Sequence, residues 1–213
     1  MTDDTLTRPK VAIIYYSATG TVHEIATEYA AGATAAGAEV RLLRVAELAP
    51  VAAIDTNPAW RAHADAMADQ PQATPEDTLW ADAIVFGTPT RFGNVASQLK
   101  QFIDTLGGLW GQGLLADKVY SGFTSTSTGG GRESTLLAMY QTVHHFGGIL
   151  VTPGYTDPIQ FVTGTPYGPS HIDGQGTVPL SDETRESTRY AGARVTRVTR
   201  HLLGGRGLQR RVG

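Results

Sequence analysis

The sequence predicts an α/β fold: a doubly wound parallel sheet of five strands with helices on both faces. Two observations predict it. Short apolar runs rich in β-branched residues alternate with longer segments of helical periodicity. The chain of 213 residues is 41% hydrophobic and 17% charged, which suits one globular domain with a sizeable core.

The five strands are predicted at residues 10–16, 39–45, 82–88, 118–124 and 149–152. The first is apolar almost throughout, as expected of a strand that is covered on both faces. The second, EVRLLRV, alternates between apolar and polar residues, which indicates an edge position. The third is expected to run to about Thr88 and to end at Pro89, because proline has no backbone N–H to donate to the ladder.

Helices are predicted between these strands. The first carries apolar residues at i, i+3, i+4 spacing after Val22 and is expected to end at Gly37. Three more are predicted over residues 95–106, 132–146 and 181–201.

Two segments interrupt this alternation. Residues 49–78, rich in Ala, Pro, Asp and Gln, are expected to form a functional or interface insertion, with a short helix after Asn57-Pro58. Residues 156–180, rich in Gly and Pro, are expected to form an irregular excursion before the last helix. We therefore expect one domain over residues 9–203, between a flexible tail at 1–8 and a flexible basic tail at 204–213.

Composition excludes several chemistries. There are 17 Lys and Arg against 20 Asp and Glu, and no basic stripe predicts a nucleic-acid partner. The absence of cysteine excludes disulfides, thiolate metal sites and dithiol redox chemistry, so any redox chemistry must belong to a bound cofactor. The histidines show no zinc pattern, and no metal is expected. No stretch approaches the roughly 20 apolar residues of a membrane span, and we expect a cytoplasmic protein.

The first candidate ligand loop follows strand one, because doubly wound sheets bind ligands beyond the carboxyl ends of their strands. It places the hydroxyls of Ser17, Thr19 and Thr21 around Gly20, and Val22 continues into the helix. It lacks the glycine and lysine patterns of triphosphate and dinucleotide loops. These residues suit a small phosphate monoester; alternatively, Ser17 and Thr21 only cap the helix.

The second loop, after strand three, contains Thr90, Arg91, Phe92, Gly93 and Asn94. Arginine and an aromatic ring at a strand end can form a wall for a flat ligand. The alternative is a surface loop with Phe92 packed into the core.

The third loop combines four hydroxyl residues with three glycines: Ser125, Thr126, Ser127, Thr128, Gly129, Gly130 and Gly131. Backbone without side chains lets a ligand approach closely, and consecutive N–H groups can bind an acceptor. A flexible surface turn is the alternative.

Trp110, in the glycine-flanked stretch GGLWGQG, is a candidate lid over the site, or else packs against a partner subunit. His144 and His145 are adjacent on a helix and point about 100° apart, so the two cannot bind one metal. One of them is a candidate to face the crevice at the strand ends.

These motifs together resemble the WrbA family of flavodoxin-like NAD(P)H:quinone oxidoreductases. The resemblance rests on YYSATG at 15–20, FGTPTRFGN at 86–94, GGLW at 107–110, STSTGGG at 125–131, HH at 144–145 and TGTPYG at 163–168. It spans nearly the whole chain. It departs at Thr19 and Thr21, where the family commonly carries an aromatic residue and a histidine.

The resemblance implies a flavodoxin-like sheet of order 2-1-3-4-5 and one FMN per subunit. The phosphate would lie on Ser17, Thr19, Gly20, Thr21 and Val22, and the flat ring beside residues 90–94, residues 125–131 and His144. Trp110 and His144 would be the catalytic residues above the ring, where nicotinamide and quinone bind in turn. Family members are typically homotetramers whose pockets are walled by more than one subunit.

The expected function is an FMN-dependent NAD(P)H:quinone oxidoreductase that works by two-electron ping-pong transfer. Backbone N–H groups of residues 90–94 and 129–131 would stabilise charge on the ring, and His144 would donate a proton to the quinone. The alternative is a flavodoxin-type electron carrier or an FMN-binding module without its own turnover. Trp110 and the insertion favour the enzyme, because they suggest a closed substrate pocket.

Overall fold

The computed structural model describes residues 8–205. The predicted tails at 1–8 and 204–213 lie outside these residues, except for Arg8, Gly204 and Gly205. Within residues 8–205, no helix is both long and apolar enough to cross a membrane.

One parallel sheet runs through the described part of the chain. Its six strands are β1 (Lys10–Tyr15), β2 (Glu39–Arg44), β3 (Ala83–Pro89), β4 (Val119–Thr126), β5 (Ile149–Leu150) and β6 (Ser170–Ile172). The first five follow the predicted order, β2-β1-β3-β4-β5. β1 lies between β2 and β3, with Val11 beside Val40 on one side and Ala83 on the other. The predicted edge position of β2 is confirmed by this strand order.

The sixth strand corrects the prediction for residues 156–180. That segment contains a helix, α8 (Pro158–Thr163), and the strand β6. β6 pairs with the carboxyl-terminal residues of β4, whereas β5 pairs only with the amino-terminal ones. Asp157 caps α8 by accepting from the N–H of Ile159 at 3.1 Å. This is the cap-and-proline signal that was recognised at Asn57-Pro58. Three residues of β6 are too few to show a period, so the strand had no detectable pattern.

The predicted end of β3 at Pro89 is confirmed. Pro89 pairs with Ser125 on β4, and the N–H of Thr90 donates to the carbonyl of Ser125 at 2.8 Å. The bonding to β4 extends one residue past the proline, because Thr90 donates its own N–H to β4.

The helices cover both faces of the sheet. They are α1 (Thr21–Ala35), α2 (Val51–Ile54), α3 (Pro58–Ala66), α4 (Pro75–Trp80), α5 (Ser97–Thr105), α6 (Gly107–Gly111), α7 (Arg132–Phe146), α8 and α9 (Asp182–Gly204). Alternate residues of β1 enter two separate cores: Ile13 packs with α1 and α9, and Ile14 packs with α5 and α7. The uniformly apolar first strand is explained by this double burial.

The insertion at residues 49–78 folds as α2, α3 and most of α4. The predicted helix after Asn57-Pro58 is confirmed: Oδ1 of Asn57 accepts from the N–H groups of Ala59 and Trp60, at 3.0 and 3.2 Å. Gly37 follows the end of α1 with φ +89°, a conformation that glycine adopts without strain.

Candidate functional site

A cavity of about 400 Å³ opens beyond the carboxyl ends of β1, β3 and β4. All three predicted loops reach it, together with two segments that the sequence did not connect to it. Its walls are formed by Ser17, Ala18, Thr19, Thr21, Val22, Asn57, Trp60, Pro89, Thr90, Arg91, Ser125, Thr126, Ser127, Asp173 and Gln175. We call it the strand-end cavity.

The first loop presents uncapped backbone N–H groups to this cavity. The first hydrogen bond within α1 runs from the N–H of Glu24 to the carbonyl of Gly20 at 3.0 Å. The N–H groups of Thr21, Val22 and His23 therefore have no acceptor within the helix. No side chain caps α1. The hydroxyl of Ser17 instead accepts from the N–H of Gly20 at 3.1 Å, which tightens the turn before the helix. The capping alternative therefore has no support, and the helix start is available to an anion.

Two histidines lie beside this loop, and the sequence did not point to them. Nδ1 of His63 lies 3.6 Å from where a Cβ on Gly20 would be, and its ring centroid is 5.7 Å from that of His23. Nδ1 of His23 is hydrogen-bonded to the hydroxyl of Tyr15 at 2.5 Å. Burial lowers the pKa of His23, and burial together with His23 lowers the pKa of His63. Both rings are therefore neutral near pH 7, and the loop offers hydroxyl and N–H donors without a cation.

The second loop is a tight turn. Arg91 and Asn94 exchange backbone hydrogen bonds of 2.8 and 3.0 Å, with Phe92 at φ +53° between them. Phe92 is fully exposed, so its expected alternative place in the core is wrong. Four of the five N–H groups at residues 90–94 already have acceptors, and within the described residues only that of Phe92 has none. Most of the N–H groups that were predicted to stabilise charge on a bound ring therefore donate to acceptors within the protein instead.

Thr90 joins the second loop to the third. Its Oγ1 is 2.7 Å from Oγ1 of Thr135 and accepts from the N–H of Gly93 at 3.2 Å. Gly131, with φ +90°, lies so close that a Cβ there would be 2.6 Å from Oγ1 of Thr90. Glycine at position 131 is thus required for these two loops to approach each other.

The third loop changes from buried to exposed along its length. Ser125 and Thr126 are buried in β4, whereas residues 127–130 are exposed at the rim. The carbonyl of Thr126 accepts from the N–H of Asp173 at 2.8 Å, which holds the segment after β6 beside the cavity. Asp173 in turn fixes Gln175 through a 3.0 Å bond to its N–H.

Asn57, Trp60, Asp173 and Gln175 were not predicted as site residues. The first two come from the insertion and the last two from the segment after β6. Within residues 8–205, Arg91 and Asp173 are the only charged side chains among the cavity walls. A detectable signal existed for Asn57 and Trp60, since both lie at a recognised helix start. No local pattern placed that helix against the first loop.

Trp110 and His144 do not reach the strand-end cavity of their own chain. Trp110 lies on α6 rather than on the predicted loop, and its Nε1 donates to the carbonyl of His145 at 2.7 Å. α7 starts at the carboxyl edge of the sheet and runs back for 15 residues, which carries His144 about 20 Å away. Some predicted site residues belong to the three loops but do not line the cavity: Gly20, Phe92, Gly93, Asn94 and residues 128–131.

Comparison with known proteins decides the family. A family profile described as NADPH-dependent FMN reductase matches residues 9–158. The chain belongs to this family.

Two relatives of this FMN reductase family member are named NAD(P)H dehydrogenase (quinone). The protein of Deinococcus radiodurans is 50% identical over 197 residues, which cover 92% of this chain and 98% of the relative. That of Aromatoleum aromaticum is 42% identical over 205 residues, which cover 92% and 99%. Among solved structures, a flavodoxin, WrbA-like protein from Agrobacterium tumefaciens has a TM-score of 0.65 and 25% identity, with 91% and 98% of the two chains covered. These findings confirm the resemblance and the flavodoxin-like fold.

Proposed function

We propose that the protein is an FMN-dependent NAD(P)H:quinone oxidoreductase that works by two-electron ping-pong transfer. One observation carries the proposal: three loops at the carboxyl ends of parallel strands converge on one cavity of about 400 Å³ that begins at an uncapped helix. The names of its relatives support the reaction.

The first loop fits the phosphate of FMN. The N–H groups at the start of α1 and the hydroxyls of Ser17, Thr19 and Thr21 supply donors in one place, and the helix dipole favours a negative group there. A monoester with two charges needs no lysine when this many donors surround it. Val22 is buried beneath the loop and fixes the first turn of α1.

The second and third loops fit a flat, partly polar ring. Pro89, Thr90 and Arg91 form one wall of the cavity and Ser125 to Ser127 another. Gly129 and Gly130 are exposed next to that wall, so they can adapt without displacing a side chain. Phe92, Gly93 and Asn94 complete the turn that holds Arg91.

When bound, FMN supplies the two-electron chemistry, which accepts hydride from NAD(P)H and delivers it to a quinone in two successive half-reactions. The chain itself holds the phosphate, fixes the ring between two loops and excludes water from part of the cavity. His144 is proposed as a proton donor to the quinone oxygen.

His144 and Trp110 are proposed to act in the site of another copy of the chain, because neither lines the strand-end cavity of its own chain. We therefore propose a homotetramer whose pockets are shared between subunits. Large exposed side chains support an assembly: Phe92 is fully exposed, and the rings of Tyr155 and Phe161, which contact each other in a tilted arrangement, lie open at the surface. Light scattering of the purified protein tests this assembly, and a monomer would exclude it.

A cytoplasmic location is part of the same proposal, since the reaction needs the cytoplasmic pool of NAD(P)H. Fractionation of cells that express the tagged protein tests it.

The function is tested with the purified protein. We expect a flavin absorption band, or its appearance on addition of FMN, and oxidation of NADH or NADPH when benzoquinone is supplied. A colourless protein that cannot be reconstituted would exclude the proposal. A yellow protein that oxidises neither nicotinamide would leave only the electron carrier.

A further inference from the structure

A second cavity, of about 550 Å³, adjoins the strand-end cavity. Trp60 and Arg91 line both cavities and so form the boundary between them. The remaining walls of the second cavity come from Tyr16, Asn94, Val95, Ser97, Gln98 and Lys100. Its size lies within the range of small-molecule sites, about 300–1,000 Å³. We call it the side cavity.

Trp60 has no ring partner. Within residues 8–205, no aromatic ring or cation is stacked on its indole, which is half-buried. Trp80 differs, since the guanidinium of Arg41 lies 4.0 Å above its ring. A large flat side chain without a stacking partner at the boundary of two cavities is a surface suited to a flat ligand.

Glu47 fixes the position of that indole. Nε1 of Trp60 donates to Oε2 of Glu47 at 3.1 Å, and the hydroxyl of Tyr16 donates to the same oxygen at 2.8 Å. Trp60 also lines a third cavity, of about 110 Å³, so its ring is not packed against the protein on every side. The orientation of Trp60 therefore depends on its bond to Glu47.

The Glu47 carboxylate is itself fully occupied. Oε1 accepts from the amide of Gln98 at 2.7 Å and from the N–H groups of Leu48 and Ala49 at 2.8 and 2.9 Å. Partial burial alone would raise the pKa of Glu47, but these bonds and those from Tyr16 and Trp60 hold it below its ordinary value. Glu47 thus stays ionised and joins Trp60 of the insertion to Tyr16, directly after β1, and to Gln98 of α5.

We propose that Trp60 is a substrate-binding residue of the side cavity, where its face stacks on the flat conjugated ring of the nicotinamide or the quinone, and that Glu47 is the residue that positions it. This inference rests on the proposed function. It gives the insertion a role within its own chain: α3 supplies one wall of the substrate site. Arg91, at the same boundary, is available to anionic groups of the nicotinamide coenzyme.

The test uses the FMN-loaded protein at saturating FMN. Trp60→Leu removes the flat ring and keeps apolar volume, Trp60→Phe keeps a ring but loses the bond to Glu47, and Glu47→Gln weakens that bond. Trp80→Leu and Glu76→Gln are matched controls, because Trp80 lines neither cavity and Glu76 is exposed.

We expect Trp60→Leu to lower kcat/KM about tenfold for the substrate that stacks there, which corresponds to about 1.4 kcal/mol. Separate kcat/KM values for the nicotinamide and the quinone identify which ring is bound. Trp60→Phe and Glu47→Gln should each lower kcat/KM about threefold, and the double variant no further than Trp60→Phe, since both act through the bond between Trp60 and Glu47. Calorimetry with NAD⁺, which cannot reduce FMN, gives a readout independent of turnover.

Two outcomes would overturn the inference. In the first, Trp60→Leu matches Trp80→Leu in both kcat/KM values while the wild-type protein is active. In the second, Trp60→Leu weakens FMN binding and leaves kcat/KM unchanged at saturating FMN, which would make Trp60 a cofactor wall only. A wild-type protein that binds FMN but oxidises neither nicotinamide would overturn the proposed function and this inference with it.

Discussion

Gly32 on α1 lies directly against the backbone of Arg189 on α9: a Cβ at Gly32 would be 2.0 Å from the carbonyl oxygen of Arg189. Gly192 on α9 meets α1 in the same way, with an added Cβ only 2.3 Å from the carbonyl oxygen of Tyr29. The two helices that cover one face of the sheet therefore cross at glycines. At these two positions the helix backbones are so close that any residue with a Cβ atom would clash.

Gly32→Ala should lower the free energy of unfolding by about 2 kcal/mol, because the methyl group forces the helices apart. Urea unfolding measures the change. Gly108→Ala on α6 is the control, since nothing lies within 4 Å of its added Cβ and alanine favours a helix. Equal stability of the two variants would contradict the close crossing.

Glu28 should make stability depend on pH in the acid range. It accepts from Nη1 of Arg185 at 2.9 Å and Nε of Arg189 at 2.6 Å. Burial would raise the pKa of Glu28, but the two guanidinium groups outweigh it and hold the pKa below its ordinary 4.5. A carboxyl group whose pKa is lower in the folded state stabilises the fold above the unfolded pKa. That stability is lost as pH falls through the folded pKa.

Glu28→Gln should therefore lower the free energy of unfolding by about 1–3 kcal/mol at pH 7. The free energy of unfolding of this variant should also fall less than that of the wild type as the pH drops below 4.5, because the titrating carboxyl group is gone. Urea unfolding at several pH values measures both effects, and exposed Glu76→Gln should behave as the wild type. An unaltered pH profile would show that Glu28 does not carry this dependence.

Ser17→Ala and Thr21→Ala should each raise the FMN dissociation constant about tenfold, because each removes a hydroxyl donor to a charged phosphate. Fluorescence titration with FMN measures the affinity. Thr27→Ala is the control, since that hydroxyl is exposed and bonds to its own helix at the carbonyl of His23. Unchanged affinity in both variants would mean that these hydroxyls do not touch the phosphate.

Gly131→Ala should weaken FMN binding through Thr90. The added methyl group would displace the Thr90 hydroxyl and separate the second and third loops. We expect an increase of about tenfold or more in the dissociation constant, and a flavin circular dichroism band that differs from that of the wild type. Gly204→Ala, at the end of α9 with nothing within 4 Å of an added Cβ, is the control and should bind FMN normally.

Trp110→Ala should lower substrate kcat/KM about tenfold while the FMN dissociation constant changes by less than about twofold. The reason is that Trp110 is remote from the cavity of its own chain and acts, in our proposal, in another subunit's pocket. Steady-state kinetics and light scattering together test this. Loss of FMN without loss of kcat/KM would contradict the role, and dissociation of the assembly would assign Trp110 to an interface.

Much of the fold was predictable because it depends on local periodicity. β1 was recognisable as a strand covered on both faces, and the helix after Asn57-Pro58 was recognisable from its cap. β6 was not recognisable, because three residues are too few to show a period. Its pairing with β4 depends on β5 being too short to cover that part of the strand. The helix of Trp110 was missed for a similar reason: it is one turn long and flanked by glycines, which favour a loop by propensity.

Local patterns in the sequence predict the three loops at strand ends and the small polar residues that suit a phosphate and a flat ring, and the family resemblance predicts the sheet order. The distant segments that close the cavity become visible only in the folded chain. Trp60, Glu47 and Asp173 reach the site through long-range hydrogen bonds. Such contacts depend on how helices and strands pack, and no local pattern encodes them. Packing also carried Trp110 and His144 away from their own chain's cavity, because a crossover helix returns to the opposite edge of the sheet.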